Sequence, residues 1–583
     1  MSKFSFGLLG QFETILPDEI PLSPEEYLKG VNREDLLRVG TSLIRHNPNN
    51  SPLRNWQDLL HMWFRKGNEA FKSYVWHKSK QLSIQHGAPI SFLYPPAGLR
   101  FFEFAYNLPE SEVLLDELQS EINLFKAYLY FISDVTKKET VHEAYIEEIP
   151  IDHRPALILL HQQFPNSEFI NVNIYDVFIC QMTKAYRLFE FMEGRPEADS
   201  LLKAFYQQFG LDNWKDYFKY LLPLVFAETK KMDAAWTDIS VPQNERFEQN
   251  CFFLDALSLK EMDEELNADF KLLRGNPLYK KGQGLYSIIY PLFLVEKLFK
   301  GLFFHFKSLY DLMPEKTIAS WNTFYTKHFA ESYLLYNLFE YIYEKRSYLR
   351  LTGDQMDASL AKKGGIDYYI RSGKHLMLFE SKSVFINADI KQGGDLQKLQ
   401  EALKSKFYFE LKPDGKTKPK AVRQLVRNVA RVLRLENPFD INYKPNNIII
   451  YPVIVVHDST FNSPGLNYLI DIWFAEELKT LEREGLDVSR VRKICILNVD
   501  SLILYSDYLR LKKMTLVELV DRYLAAREFN QHRQFRDSDH LRSAYGKTLL
   551  PFSVFIDEFT DVGFKKVPNT YWQSIISKYI PEE

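Results

Sequence analysis

Cysteine is scarce in this sequence, and the spacing of the few present excludes two classes of site. The 583 residues include 3 cysteines, Cys180, Cys251 and Cys495, which lie far apart and form no C-x-x-C pair. A scattered, odd-numbered set argues against a disulfide framework and against zinc or iron–sulfur sites built on thiolates. We therefore expect a protein of a reducing compartment and predict the cytoplasm as its location.

Long uninterrupted apolar runs are missing as well. The N-terminal segment, MSKFSFGLLGQFETILPDEI, lacks the apolar core and the cleavage site of a signal peptide. The most apolar later stretch, residues 285–306, is interrupted by Glu296, Lys297 and Lys300. We expect a buried helix there, and we do not expect a membrane among the partners.

The chain also lacks an excess of charge of one sign and the common nucleotide motifs. Its 73 Lys and Arg nearly balance 76 Asp and Glu, for a formal net charge of −3, so any surface for nucleic acid must be local. The patterns G-x-x-x-x-G-K-[ST], H-E-x-x-H and G-x-S-x-G do not occur. If the activity is coupled to ATP, we expect another subunit to supply the ATPase.

What the sequence does contain is a change of pattern near residue 315. Upstream segments such as NWQDLLHMWFRKGNEAFKSYVW place apolar residues at helical spacing, whereas short β-like runs alternate with helical segments downstream. At roughly 150 residues per domain, the length accommodates several domains. We predict an α-helical recognition or regulatory region over 1–314, an α/β domain over 315–530 and a C-terminal helical appendage over 531–583.

One short stretch of the α/β region carries charges that a buried hairpin does not need. The segment GGIDYYIRSGKHLMLFESKS predicts two apolar strands joined by a turn at Ser372-Gly373. That turn would place Asp367 opposite Leu378 and on the same face as Glu380. Diagonal neighbours of this kind lie roughly 7–8 Å apart, a separation that one cation can bridge.

The chemistry of this hairpin favours a metal site. Two carboxylates on an apolar hairpin repel each other and are costly to bury alone, and a shared divalent cation would remove both costs. Ligands that are all oxygen suit Mg²⁺ or Mn²⁺. Lys382 would then orient the attacking water or stabilise charge on a phosphate. The competing interpretation is a strand end at Asp367 with Glu380 and Lys382 as a solvated edge pair, because Glu-x-Lys also occurs at 228–230.

These residues, in this order, resemble the PD-(D/E)xK nuclease superfamily, whose restriction-endonuclease-like fold has a central mixed sheet flanked by helices. The resemblance covers residues 320–525 and rests on HFAESYLLYNLFEYIYE, GGIDYYI, LMLFESK, KAVRQLVRNVARVL and NIIIYPVIVVH. It implies Asp367 and Glu380 as metal ligands, the Ser381 carbonyl as a further ligand, and Lys382 as the catalytic lysine. Residues 1–310 resemble no family that we recognise.

The same resemblance implies two more catalytic side chains. Glu331 fits the carboxylate that many members place on the first helix, and Gln424 fits a glutamine from the helix that crosses the sheet. Each can also be read as an ordinary helix-surface residue, and the insertion KFYFELKPDGKTKPK makes the position of Gln424 less certain. If the hairpin register differs, Asp354 or Asp357 would replace Asp367 as a ligand.

A basic helix follows that insertion. The run KTKPKAVRQLVRNVARVLR predicts one apolar face and one stripe of cations, which comprises Arg423, Arg427, Arg431 and Arg434, with Lys420 just before the helix. Arginines at one-turn intervals are suited to contacts with a phosphate backbone, which give affinity without sequence choice. A solvated helix face or a protein-binding surface remains the alternative.

Taken together, these features predict a metal-dependent nuclease that hydrolyses phosphodiester bonds, with DNA favoured over RNA as the partner. Analogy of architecture suggests an effector of bacterial defence or of a mobile element. Residues 1–314 would bind a protein partner or activator, and a homo-oligomer is left open. The alternatives are a catalytically inactive nucleic-acid- or protein-binding member of the same fold, an RNA nuclease, and a hydrolase of small nucleotides.

Overall fold

The structure is a computed structural model in which the chain divides into two compact units. One unit comprises residues 1–140, 169–317 and 579–583, and the other comprises residues 141–168 and 318–578. The described residues are 8–45, 56–65, 67–111, 114–140, 143–169, 172–230, 235–260, 268–360, 364–511, 514–529, 538–561 and 570–579. None of the helices in these ranges combines the length and the apolarity needed to cross a bilayer.

The first unit is mainly helical, as predicted for the N-terminal region. Its helices are Phe12–Ile15, Pro24–Leu28, Arg33–Arg45, Trp56–Trp63, Glu69–His86, Pro95–Asn107, Glu117–Lys138, Ile174–Glu193, Asp199–Phe209, Trp214–Lys230, Phe247–Ala256, Lys271–Gly275, Pro291–Glu296 and Lys300–Leu312. They enclose an aromatic-rich core that includes Phe101, Phe125 and Phe293. The unit also contains a small mixed sheet with the strand order Asp238–Ser240, Leu285–Ile288, Leu278–Gly282 and Ser258–Leu259.

The prediction of one buried helix over 285–306 is wrong. Residues Leu285–Ile288 form a strand of the small sheet, and two helices, Pro291–Glu296 and Lys300–Leu312, follow it. The strand pairs antiparallel with Leu278–Gly282 across a turn in which Gly284 has a φ of 69°. Glycine adopts this left-handed conformation without steric cost, so the turn chemistry overrides the helical appearance of the apolar run.

The second unit contains a five-stranded mixed sheet, whose strands we number in chain order. They are β1 (Leu349–Thr352), β2 (Tyr368–Ser372), β3 (His375–Lys382), β4 (Ile449–Val456) and β5 (Cys495–Asn498). Strand β2 is antiparallel to both of its neighbours, β1 and β3, whereas β3, β4 and β5 are parallel to one another, with the spatial order β5-β4-β3-β2-β1. The carboxyl ends of β3, β4 and β5 therefore lie at one edge of the sheet.

Helices pack against this sheet. We label the crossing helix α1 (Ala421–Leu433) and the long helix after β4 α2 (Leu466–Arg483). The apolar positions of both helices belong to one core with the inward-facing residues of β3 and β4. The remaining α-helices among the described residues of the unit are Glu143–Glu148, Arg154–Gln163, Trp321–Thr323, Tyr336–Tyr343, Gly353–Ser359, Ala388–Gln392, Leu396–Phe407, Val499–Leu504, Ser506–Arg510, Leu516–Ala526, Ser538–Thr548, Phe552–Asp561 and Thr570–Ile576, and a π-helix spans Phe324–Leu335.

The observed units differ from the predicted domains at two larger places, apart from residues 579–583, which belong to the first unit. Residues 141–168, predicted to belong to the helical region over 1–314, belong to the second unit, where Glu168 forms a buried ion pair with Lys391. In the predicted appendage over 531–583, the described helices also join the second unit: the Tyr505 hydroxyl donates to Asp557 at 2.6 Å. Residues 531–537, 562–569 and 580–583 of that appendage lie outside the described residues.

Candidate active site

The hairpin that carries the predicted ligands has a different register from the predicted one. Ser372 pairs with His375, so the two-residue turn is Gly373-Lys374, with a φ of 57° at Gly373. Leu378 consequently pairs with Tyr369, and the prediction that it stands opposite Asp367 is wrong. Because the shift amounts to two residues along the partner strand, every side chain keeps its predicted face.

In this register Asp367 meets the end of β3 directly. Its main-chain N–H donates to the Phe379 carbonyl at 3.1 Å, and its Oδ2 accepts the Ser381 N–H at 2.6 Å. A charge-assisted bond of this kind holds the carboxylate in one orientation. The register therefore places Asp367 beside the Glu380–Lys382 segment. A cation that binds both carboxylates does not need to span the diagonal separation that the predicted register implies.

Glu380 is the most deeply buried member of the site, with 1% of its surface exposed. It lies on β3 next to Ile454 of the parallel strand β4. The Lys382 Nζ donates to its Oε1 at 2.6 Å, whereas its buried Oε2 has no hydrogen-bond partner among the described residues. A buried carboxylate oxygen without a donor is costly, and it is a natural ligand for a cation.

Glu331 lies on a π-helical segment, Phe324–Leu335, within the helix that was predicted over this region. Its side chain accepts the Tyr336 hydroxyl at 3.0 Å, five residues further along the chain. π-Helical backbone is rare and is frequent at functional sites, and here it extends over 12 residues instead of a single turn. Sequence inspection did not single out Tyr336, since an i, i+5 partner is not expected in an α-helix.

The carboxyl groups of the site raise one another's pKa. Burial, and then repulsion from Asp367, raise the pKa of Glu380 to about 8. The same two causes raise the pKa of Glu331 to about 7. Burial also raises the pKa of Asp367, although Lys382 and the Ser381 N–H act in the opposite direction. Without a cation, the carboxyl groups therefore tend to keep protons near neutral pH, because full ionisation would place more negative charge in the site than its one lysine balances.

Lys382 keeps its proton in this environment. Burial acts to lower the pKa of its ammonium group, but Glu380 and Asp367 outweigh burial and raise it. The same Nζ lies 3.5 Å from Oε1 of Gln424 on α1, at the long end of the hydrogen-bonding range. The structure thus brings Gln424 to the predicted site in spite of the insertion that precedes it.

Ser381 and His457 connect the ends of β3 and β4. The Ser381 hydroxyl lies 2.9 Å from Nε2 of His457, and the His457 N–H donates to the Lys382 carbonyl at 3.3 Å. His457 thereby holds the strand end that carries Lys382, which is a positioning role. The metal-ligand role of the Ser381 carbonyl stays a prediction.

The alternative ligands that precede the hairpin have other surroundings. Oδ1 of Asp357 accepts the N–H groups of Gly364 and Gly365, both at 2.9 Å, so this carboxylate holds the loop that leads to Asp367. Asp354 is exposed on the helix Gly353–Ser359. The register therefore favours Asp367 over Asp354 and Asp357 as the metal ligand.

The predicted arginine stripe is mostly occupied by partners within the chain. Arg423 pairs with Glu477 at 2.7 Å and stacks on the Phe409 ring, and Arg434 pairs with Glu484 at 2.6 Å. Lys420 pairs with Glu410 at 2.7 Å.

The two remaining arginines of the stripe bind a main-chain carbonyl. Arg427 and Arg431 donate to the Gly364 carbonyl at 2.7 and 3.2 Å. Because that carbonyl lies three residues before Asp367, both side chains help to hold the ligand-bearing loop. Fewer arginines of the stripe are therefore available to bind phosphate than their spacing in the sequence predicts.

The loop offers a direct test of this arrangement. Gly364 has a φ of 119°, and a Cβ there would approach Nη2 of Arg427 to 2.7 Å. We expect Gly364→Ala to lower the free energy of unfolding by about 1–3 kcal/mol, through backbone strain and displacement of Arg427. Chemical denaturation measures the loss. Gly415→Ala is the matched control, because Gly415 also has a positive φ, 75°, but lies in open space. Equal losses in the two variants would contradict the role of the Arg427 contact.

The donor atoms suit a hard cation with a partly aqueous shell. Among the described residues, no group of three or more His, Cys, Asp and Glu side chains is spaced to hold a metal ion. Asp367 and Glu380 thus supply two carboxylates, and Mg²⁺ commonly binds to one or two carboxylates while keeping several waters. The unpartnered Oε2 of Glu380 and the crowding of negative charge both fit such an ion.

Comparison with known proteins adds no relative: no family model, no curated protein and no solved structure matches this chain. The function of this chain is therefore inferred from the geometry of the site.

Proposed function

We propose that the second unit is a nuclease domain of the PD-(D/E)xK type, which hydrolyses phosphodiester bonds of DNA with Mg²⁺ or Mn²⁺. The observation that carries the proposal is the joint placement of Asp367, Glu380 and Lys382 at one end of β3, where one oxygen of Glu380 has no donor within the described part of the chain. The mixed order of the sheet and the position of Gln424 on α1 support it further.

The residues divide the chemical work by their charge. Asp367 and Glu380 would hold the ion, which when bound supplies positive charge to the scissile phosphate and lowers the pKa of a coordinated water. Lys382 stays protonated beside Glu380 and donates towards the charge that develops on the phosphate oxygens. Glu331, whose pKa lies near neutrality, is suited to accept a proton from the attacking water.

The first unit would recognise an activator, a protein partner or a DNA structure. Such recognition would suit a nuclease that acts as an effector in a defence or mobile-element system. The second unit contains both the predicted ligands and the basic helix, so we assign binding of the scissile DNA to it.

Incubation of the full chain with defined nucleic acids tests the function. We expect nicking or cleavage of supercoiled plasmid and linear duplex DNA with Mg²⁺ or Mn²⁺, none with excess chelator, and slower cleavage of RNA. Turnover of mononucleotides alone would indicate a small-nucleotide hydrolase. Binding without cleavage under every metal condition would instead indicate the catalytically inactive alternative.

A further inference from the structure

A two-stranded hairpin projects from the insertion between β3 and α1. Its strands, Phe409–Leu411 and Thr417–Pro419, are antiparallel, with Glu410 opposite Lys418. The Lys412 N–H donates to the Lys416 carbonyl at 2.8 Å, which extends the pairing by one further step towards the turn. The sequence identified this segment as an insertion whose lysines precede the basic helix, and the structure gives it a defined shape.

The register places the lysines of the hairpin on one face. Directly opposed residues of an antiparallel pair point the same way, and alternate residues of a strand share a face. Lys412, Lys416, Lys418 and Lys420 therefore share a face with Glu410. Successive lysines along the second strand stand roughly 7 Å apart, twice the rise per residue of a strand.

These ammonium groups are more available than the arginines of α1. Lys412, Lys416 and Lys418 are all exposed, and no carboxylate of the described residues lies within ion-pair distance of Lys412 or Lys418. Lys416 has Asp414 of its own turn 3.7 Å away, and Lys420 has Glu410. Exposed pairs of this kind contribute about 0–1 kcal/mol, so a phosphate can replace the carboxylate at low cost.

The base of the hairpin is held by an aromatic stack and main-chain hydrogen bonds, and it lies close to the candidate site. The Tyr408 ring stacks on Trp473 with the centroids 5.6 Å apart, and the Lys420 N–H donates to the Tyr408 carbonyl at 3.0 Å. The Gln424 N–H then donates to the Lys420 carbonyl at 2.9 Å, one helical turn before the side chain that approaches Lys382. A helical turn of this length rises about 6 Å, so the lysine face begins next to the candidate site.

We propose that this hairpin is the DNA-binding arm of the protein and that Lys412, Lys416 and Lys418 contact the phosphate backbone of double-stranded DNA. The inference rests on the nuclease function proposed above and names the surface that holds its substrate. A two-stranded β-ribbon fits the major groove of B-DNA, and lysines bind phosphates as point charges. Such contacts give affinity and position without sequence choice.

The salt dependence of binding by the full chain tests the proposal. Fluorescence anisotropy with a labelled 30-base-pair duplex in excess chelator measures binding without cleavage. For the variant Lys412→Ala/Lys416→Ala/Lys418→Ala, we expect weaker binding to every duplex sequence. We also expect the slope of log K against log salt to decrease by about 2–3, because each lost phosphate contact removes about 0.9. The matched control Lys345→Ala/Lys444→Ala/Lys479→Ala removes three exposed lysines elsewhere in the second unit and should keep the wild-type slope.

The outcomes separate this inference from the nuclease proposal. An unchanged slope in the hairpin variant, an equal decrease in the control variant, or no duplex binding by the wild type would each overturn the inference. Duplex binding that depends on the hairpin, in a protein that cleaves no nucleic acid with any metal, would support the inference and refute the nuclease. Metal-dependent cleavage by the wild type, together with normal duplex binding by the hairpin variant, would support the nuclease and refute the DNA-binding role of the hairpin.

Discussion

Asp367→Asn is expected to slow DNA cleavage by at least about 10²–10³-fold, the scale on which single groups that stabilise a developing charge act. The fold should survive, because an amide oxygen can still accept the Ser381 N–H that the carboxylate accepts at 2.6 Å. Removal of the charge also relieves the repulsion that Asp367 exerts on Glu380. We therefore expect the free energy of unfolding to stay within about 1 kcal/mol of the wild type, roughly the equivalent of one pKa unit.

Initial rates on plasmid DNA, measured beside chemical denaturation, check both halves of this expectation. Asp354→Asn is the matched control, since it removes an exposed carboxylate close by in the sequence. A second pair, Lys382→Ala and Lys479→Ala, makes the same comparison for the lysine, because both residues end a Glu-x-Lys tripeptide. If Asp354→Asn loses activity and Asp367→Asn keeps it, the assignment of the ligand is wrong.

In the absence of metal, the stability of the protein is expected to fall as the pH rises from about 5 to about 8. The physical cause is the raised pKa of Glu380 and Glu331, about 8 and about 7 against ordinary values of 4.5. Between the unfolded and folded pKa values, the folded state binds more protons than the unfolded state, so the slope of stability against pH is negative. The loss should be on the order of a few kcal/mol, since each pKa unit corresponds to about 1.4 kcal/mol.

Bound Mg²⁺ should remove much of this loss, because a cation between the carboxylates stabilises their charged forms. Glu380→Gln should flatten the metal-free profile, whereas the control Glu436→Gln, at an exposed position, should leave it unchanged. Denaturation midpoints at a series of pH values, with and without Mg²⁺, provide the measurement. The difference between wild type and Glu380→Gln isolates the site from the other titrating groups. Parallel profiles for these two proteins would show that Glu380 does not titrate as the geometry indicates.

The hairpin shows how far local sequence rules reach. Strand alternation predicted correctly that Asp367 and Glu380 share a face, because any register shift by an even number of residues preserves it. The turn was misplaced by one position, since Ser372-Gly373 and Gly373-Lys374 are both acceptable two-residue turns by composition. Pairing with neighbouring strands constrains such a choice, and one of them, β4 (Ile449–Val456), lies far from the hairpin in the sequence.

The basic helix shows the opposite limit. The helical spacing of its side chains and its apolar face were predicted from the sequence, and residues Ala421–Leu433 form the predicted helix. The partners of Arg423 and Arg434 could not be predicted from the local sequence, because Glu477 and Glu484 lie 50 or more residues further along the chain. Charge spacing describes a helix in isolation, whereas the availability of each charge depends on the acids that the fold brings next to it.

The sequence by itself determined the helical character of the first half, the strand–helix alternation of the second half, and the set of charged side chains that the candidate site contains. These features follow from side-chain periodicity and residue chemistry, which act over a few neighbouring positions. The tertiary structure alone decided that residues 141–168 join the second unit, that Tyr336 meets Glu331, that no described residue donates to one oxygen of Glu380, and that the inserted lysines share one face. Each of these depends on contacts between distant segments or on a local register, and no short pattern in a chain encodes them.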